Sequence, residues 1–250
     1  MTKVLLAGDT HGQADWLRFL AQVADEQKCT AILQLGDFGY WEHLDDGCYY
    51  LKAASELMER YGLFLFWVDG NHENHALLRT RYDCSRAVEI RPRVTYLPRG
   101  YRWACDGVRF LALGGAYSVD KPNRVEGQSW WSEETITDDE VRKASEGGPT
   151  DVLVCHDAPD GAAGVVGPST AGDKDRWPES LGNRRQVRRV VDAVSPKLIV
   201  HGHYHHRNST MLNGARVEGF ARDWMGADAF GVLSLPSLRL TARERSKAHG

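Results

Sequence analysis

The chain has 250 residues, a length that one α/β or sandwich domain can fill, and its 42% hydrophobic and 26% charged residues match a soluble globular protein with a sizeable core. A net charge of −3 argues against the overall basic surface that holds long duplex DNA, so nucleic acid is possible but not favoured as a substrate. Five cysteines (Cys29, Cys48, Cys84, Cys105, Cys155) are odd in number and contain no CxxC pair, which argues against a disulfide framework or a thiolate zinc site.

Along the chain, short runs rich in Val, Ile, Leu and Phe each end in a Gly, Asp, His or Asn cluster, the pattern of buried strands closed by turns. The first, residues 4–7, runs into Gly8 and Asp9; it is too short for a signal-peptide core, and no later stretch is long enough to span a bilayer. A cytoplasmic location without membrane contact is the expectation. Residues 14–28 read as a helix with Trp16, Leu20, Val23 and Ala24 on one face. Residues 31–35 form the next strand, closed by Gly36-Asp37, and residues 49–61 a second helix. The strand at 63–68 leads into Gly70-Asn71-His72-Glu73, and another follows at 108–113.

Residues 117–135 show no clear period and contain Arg124, Trp130 and Trp131. A capping box at Thr137 opens a short helix to Ser145. The strand at 152–155 ends at His156-Asp157, and residues 157–181 again lack periodicity; loops of such length inside a domain are commonly functional. Arg184, Arg185, Arg188 and Arg189 would share a basic helix face, whose ordinary reading is a solvated surface. Residues 198–200 form a strand before Gly202-His203-Tyr204-His205, and 216–220 and 230–235 read as further strands. Residues 1–238 are expected to form a single catalytic domain, with 239–250 a solvated tail.

The polar clusters carry the chemistry. In extended chain, residues two apart face the same side, so Asp9 with His11, and His203 with His205, can each point two donors into one pocket. Gly8, Gly36, Gly70 and Gly202 are read as positions where the backbone turns sharply without a Cβ in the way. The donors are carboxylate oxygen, imidazole nitrogen and amide oxygen without thiolate, a set that suits Mn²⁺, Fe or Zn²⁺ better than Cu(I) and argues against Ca²⁺. One carboxylate between two ions can bridge them.

With these motifs in order (D-x-H at Asp9/His11, G-D at Gly36-Asp37, G-N-H-E at Gly70 to Glu73, the His after a strand at His156, and G-H-x-H at Gly202 to His205), the sequence resembles the calcineurin-like metallophosphoesterase family over roughly residues 4–206. The resemblance implies an α/β fold, a four-layer α-β-β-α sandwich of two mixed β-sheets flanked by helices, with two divalent ions at the strand ends. It assigns Asp9, His11, Asp37 and His205 to one ion and Asp37, Asn71, His156 and His203 to the other. Mn²⁺ is the favoured metal, with Fe, Zn²⁺, Ni²⁺ or Co²⁺ possible. His72 matches the family's catalytic histidine, which would protonate the leaving group after attack by a metal-bound hydroxide.

The family spans several ester classes. The protein-phosphatase block GDxVDRG is replaced here by GDFGYWE at residues 36–42, without the arginine that grips a dianionic monoester. A singly charged diester needs fewer cations, so the expected activity is phosphodiester hydrolysis on a small substrate, with 2′,3′-cyclic nucleotides as candidates. Alternatives are a phosphomonoesterase or Ser/Thr protein phosphatase, a DNA or RNA nuclease, and a non-catalytic scaffold. The sequence leaves the oligomeric state open.

Overall fold

In the computed structural model, which describes residues 1–165 and 178–241, the strands form two mixed sheets. The first contains β1 (Lys3–Ala7), β2 (Ala31–Gln34), β3 (Phe64–Trp67), β4 (Val88–Arg91), β5 (Val94–Tyr96), β12 (Phe230–Ser234) and β13 (Arg239–Thr241), in the order β13-β12-β1-β2-β3-β5-β4. The second contains β6 (Arg102–Cys105), β7 (Val108–Leu113), β8 (Val152–Cys155), β9 (Leu198–His201), β10 (Asn208–Leu212) and β11 (Ala215–Gly219), in the order β10-β11-β9-β8-β7-β6. Parallel pairing runs through β1, β2, β3 and β5 in one sheet and through β7, β8, β9 and β11 in the other.

The helices are α1 (Ala14–Glu26), α2 (Asp45–Tyr61), α3 (His75–Arg81), α4 (Asp138–Glu146) and α5 (Pro178–Val194). Alternate residues of each central strand point to opposite faces, and both faces are covered. Leu5 and Ala7 join the cluster made with α1 and α2, while Leu6 faces the second sheet. Leu153 and Cys155 pack against α4 and α5, while Val152 and Val154 face the first sheet. Full burial of such a side chain is worth roughly 1.5–3 kcal/mol, so both faces select apolar residues and the strands read as unbroken runs.

The expected four-layer sandwich is therefore the architecture, with two differences at the periphery. The segment Arg239–Thr241, expected to begin a solvated tail, instead pairs antiparallel with β12 as β13. Helix α2 starts about a turn before the expected residue 49, after Leu44, and closes with Gly62 in the left-handed region. At α4 the reciprocal capping box between Thr137 and Glu140 forms as read from the sequence. Among the described residues no helix is long and apolar enough to cross a membrane.

Candidate metal centre

Parallel strands from both sheets end on the same rim, the usual place for a site in open α/β sheets. After β1 come Asp9 and His11; after β2, Asp37; after β3, Asn71 and His72; after β8, His156; after β9, His203 and His205. The backbone there is unusual. His11, Asp37, His203 and His205 all have positive φ, between 45° and 68°. Non-glycine residues in this region cost of order 1–3 kcal/mol each, and such strain concentrates at functional sites.

The glycines beside the ligands act mainly through closeness. A Cβ on Gly70 would fall onto Asp37 Oδ1, and one on Gly202 onto Asp9 Oδ1, although neither glycine has a positive φ. The expected need for a missing Cβ holds at these two positions, where the neighbouring loop brings an aspartate against bare backbone.

Donor atoms of Asp9, His11, Asp37 and His205 lie within 4.8 Å of one another. Asp37 Oδ2 is 3.6 Å from His11 Nε2, and Asp9 Oδ2 is 3.0 Å from His205 Nε2 and 3.9 Å from His11 Nε2. That Asp9 oxygen is buried and receives no well-formed hydrogen bond, which is the condition a cation relieves. The opposite nitrogen of His11, Nδ1, donates to Asp223 Oδ1 at 2.9 Å, which fixes the ring with Nε2 toward the carboxylates.

A second group meets on the other side of Asp37. His156 Nε2 is 3.4 Å from Asp37 Oδ1 and 3.2 Å from Asn71 Oδ1, and the His203 ring centroid is 5.1 Å from that of His156. His156 Nδ1 donates to the Leu35 carbonyl at 2.7 Å, leaving Nε2 for the site. The Asn71 amide is oriented by a relay: its Nδ2 donates to Ser118 Oγ (3.0 Å), which donates to Glu134 Oε2 (2.6 Å), while Oε1 accepts from the Ser118 amide (2.7 Å). The residues assigned from the sequence to the two ions thus meet at one rim, with Asp37 between the two groups and His203 placed by its contact with His156.

The electrostatics describe a pocket short of positive charge. Burial works to raise the Asp9 and Asp37 carboxyls, but the His205 and His156 imidazoles near Asp9, and the His72, His156 and His11 imidazoles near Asp37, hold both below the ordinary range. Burial also opposes charge on His11 and His156. The hydrogen bond to Asp223 and the nearby Asp37 carboxylate nevertheless lift His11 to about 10, and the charge of Asp37 lifts His156 to about 10. Protons on imidazole occupy the role that divalent cations would take.

His72 sits at the mouth. Its amide donates to Asp37 Oδ1 at 2.8 Å, and its Nε2 is 3.8 Å from Asp37 Oδ2. Arg124 Nη2 lies against the ring, within reach of Nδ1 and 3.0 Å from Nε2, and is paired with Asp120 at 2.7 Å. Burial, with Arg124 and His11 nearby, lowers the His72 pKa against the pull of Asp37.

Other residues singled out in the sequence have structural duties. Glu73 accepts from the amides of Phe38 (2.6 Å), Gly39 (3.3 Å) and Gly70 (2.7 Å), tying the loops that carry Asp37 and Asn71 together. Asp157 accepts from Tyr204 Oη (2.7 Å) and Asn183 Nδ2 (2.8 Å), joining α5 to the His203 loop. Of the arginines on α5, Arg184 is buried, Arg188 pairs with Asp192 at 2.8 Å and Arg189 pairs with Asp138. His249 and much of the aperiodic segment 157–181 lie outside the described residues. Asp223, Ser118 and Glu134 escaped the sequence reading, although Asp223 comes three residues after the strand read at 216–220.

A family model for calcineurin-like phosphoesterases matches residues 2–207. The chain belongs to the calcineurin-like phosphoesterase family. Membership places it among metal-dependent phosphoric ester hydrolases. Among solved structures, this phosphoesterase is similar to a protein of Thermus thermophilus at 14% identity and a TM-score of 0.62, covering 96% of this chain and 97% of that one. A dimetal phosphatase from Danio rerio gives 14% identity and a TM-score of 0.62, with 97% and 96% covered. The anchor in the inner membrane complex of Plasmodium gives 14% and 0.50, with 93% and 81% covered. At such identities the likeness is one of fold. Comparison with curated proteins finds no match.

Proposed function

We propose that this phosphoesterase hydrolyses small phosphodiesters, 2′,3′-cyclic nucleotides being the first candidates, with two divalent cations held around Asp37. The observation that carries this reading is the position of Asp37. Its two oxygens face different ligand groups, Oδ2 toward His11 and Oδ1 toward His156. Asp9, His11, Asp37 and His205 would hold one cation, and Asp37, Asn71, His156 and His203 the other. The donor set of nitrogen and oxygen favours Mn²⁺. When bound, such cations acidify water and draw charge from phosphate oxygens.

The chain's own residues then position and protonate. Water gives a proton to solvent as it attacks phosphorus opposite the leaving oxygen, the bond to that oxygen breaks, and His72 gives it a proton, yielding a phosphomonoester and a hydroxyl, both on one product when the ester is cyclic. His72 accepts from Arg124 as it stands, so proton donation requires the guanidinium to turn from the ring to the substrate anion. One arginine, its charge shared with Asp120, suits a singly charged diester better than a dianion. The paired arginines on α5 disfavour a nucleic-acid backbone groove. All the presumptive ligands and His72 are present, which disfavours a purely structural role. The five free thiols suit a reducing, cytoplasmic setting.

The test is a grid of metal-free protein with Mn²⁺, Zn²⁺, Mg²⁺, Ni²⁺ and Co²⁺ against aryl mono- and diesters. Faster hydrolysis of bis(p-nitrophenyl) phosphate than of p-nitrophenyl phosphate is expected. The reverse order would favour the monoesterase, and full activity after exhaustive chelation would remove the metal reading.

A further inference from the structure

We infer that the cleft beside His72 is a leaving-group subsite for a planar aromatic ring, so that preferred diesters carry a nucleobase or an aryl aglycone; this rests on the phosphodiesterase reading above. The cleft has a volume of about 300 Å³, and its walls include Trp41, His43, His72, Arg124, Gln128 and Trp131. A residue that protonates the leaving oxygen touches it, so whatever that oxygen carries extends into the space His72 lines. At the lower end of ligand-pocket volumes, the cleft suits a single nucleoside-sized group.

Its aromatic walls are fixed in advance. Trp41 Nε1 donates to the His72 carbonyl, and the indole lies over Gly12, where a Cβ would meet Trp41 Cζ3. Trp131 is buried and packs edge-on against His43, with centroids 6.0 Å apart; His43 Nδ1 accepts from Asn74 Nδ2 at 2.9 Å. The two successive tryptophans divide the work. Trp130 is buried beneath Lys121, whose Nζ is 4.1 Å from its ring, and anchors the loop, whereas Trp131 lines the cleft. Gln128, exposed at the mouth, offers a donor and an acceptor to a ring edge, and among the described residues no carboxylate lines the cleft to repel a phosphate. Rigid walls lose little entropy on binding, and faces of this kind stack on any base.

The test uses three esters with the same scissile bond: the 2′,3′-cyclic phosphates of adenosine, benzyl riboside and methyl riboside, with Mn²⁺-loaded enzyme. The ring-bearing esters are expected to exceed the methyl riboside in kcat/KM by about ten-fold or more. Adenosine and benzyl riboside gaining alike assigns the effect to the ring face; adenosine gaining alone assigns it to the base edge, and both uphold the subsite. Trp131→Leu should bring the ratio close to one, and so should Trp41→Leu, which removes the other, partly exposed aromatic wall. Equal kcat/KM for all three esters, or a ratio that survives both substitutions, overturns the inference. Failure to cleave any of the three with any metal counts instead against the phosphodiesterase reading. In that case, quenching of tryptophan fluorescence by adenosine 2′-monophosphate but not by ribose 5-phosphate would uphold the cleft, and equal response to both would overturn it.

Discussion

The relay from Asn71 through Ser118 to Glu134 makes a sharp prediction about one cation only. A carboxylate has no proton to give, so the Ser118 hydroxyl must point its hydrogen at Glu134 and its lone pair at Asn71. That choice turns the Asn71 nitrogen to Ser118 and the oxygen toward His156. Glu134→Gln keeps the size but supplies an amide donor, which lets the serine proton rotate toward Asn71. The asparagine then flips, presenting N–H where a ligand oxygen stood. Loss of such outer partners typically costs 10–100-fold in metal affinity, so the cation at Asn71, His156 and His203 should weaken by about that factor. The cation at Asp9, His11 and His205 should bind as before. Calorimetric titration of metal-free protein with Mn²⁺ resolves the two steps. Unchanged affinity in both, or equal weakening of both, would refute the argument. Ser118→Ala, which strands the buried Asn71 nitrogen, should also cost about 1–3 kcal/mol of stability.

His72→Ala should retain metal binding and lose about 10²–10⁴-fold in turnover on esters with alkoxide leaving groups, with a smaller loss on p-nitrophenyl esters; equal losses on both would remove the proton-donor role. In the metal-free protein His11 and His156 have pKa values of about 10 against an ordinary 6.5, so both are protonated near neutral pH and cation binding should expel about two protons. Calorimetry in buffers of different ionisation heat counts them, and affinity should rise as pH climbs toward 10; release of no protons would contradict the charge assignment. By the same linkage, these imidazoles stabilise the metal-free fold fully below about pH 6.5 and cease to do so as pH passes through about 10. Arg99 binds buried Asp69 through Nε at 2.9 Å and Nη2 at 2.6 Å, so Arg99→Met should destabilise the protein by about 3–5 kcal/mol, read by urea unfolding. A loss below about 1 kcal/mol would show that Asp69 is compensated elsewhere.

Much of this was legible because the central strands are buried on both faces and their loops end on one rim. Apolar runs closed by Asp, Asn or His at Asp9, Asp37, Asn71, His156 and His203 carry both facts at once. Peripheral strands were not legible: β10 (Asn208–Leu212) is a half-exposed edge whose polar residues carry no burial signal, and β5 (Val94–Tyr96) spans three residues. Ser118 and Glu134 were hidden for another reason. They lie in an irregular segment, sixteen residues apart, and become partners only through the turns between them. That Gly70 and Gly202 leave no room for a Cβ was legible, but not that the space is taken by Asp37 and Asp9. The basic face on α5 is the solvated surface read from the sequence at Arg188 and Arg189, which pair with Asp192 on the same helix and Asp138 on α4, whereas the burial of Arg184 was not legible.

The rim also has a mechanical side. Asp9, Asp37 and Asn71 belong to one sheet, and His156, His203 and His205 to the other, so each proposed cation would rivet the two halves of the sandwich across their seam. Slippage of one half by a single residue would dismantle both ligand sets together. Catalytic output should therefore report the alignment of the halves, fading during heating before the helices on the outer faces begin to melt.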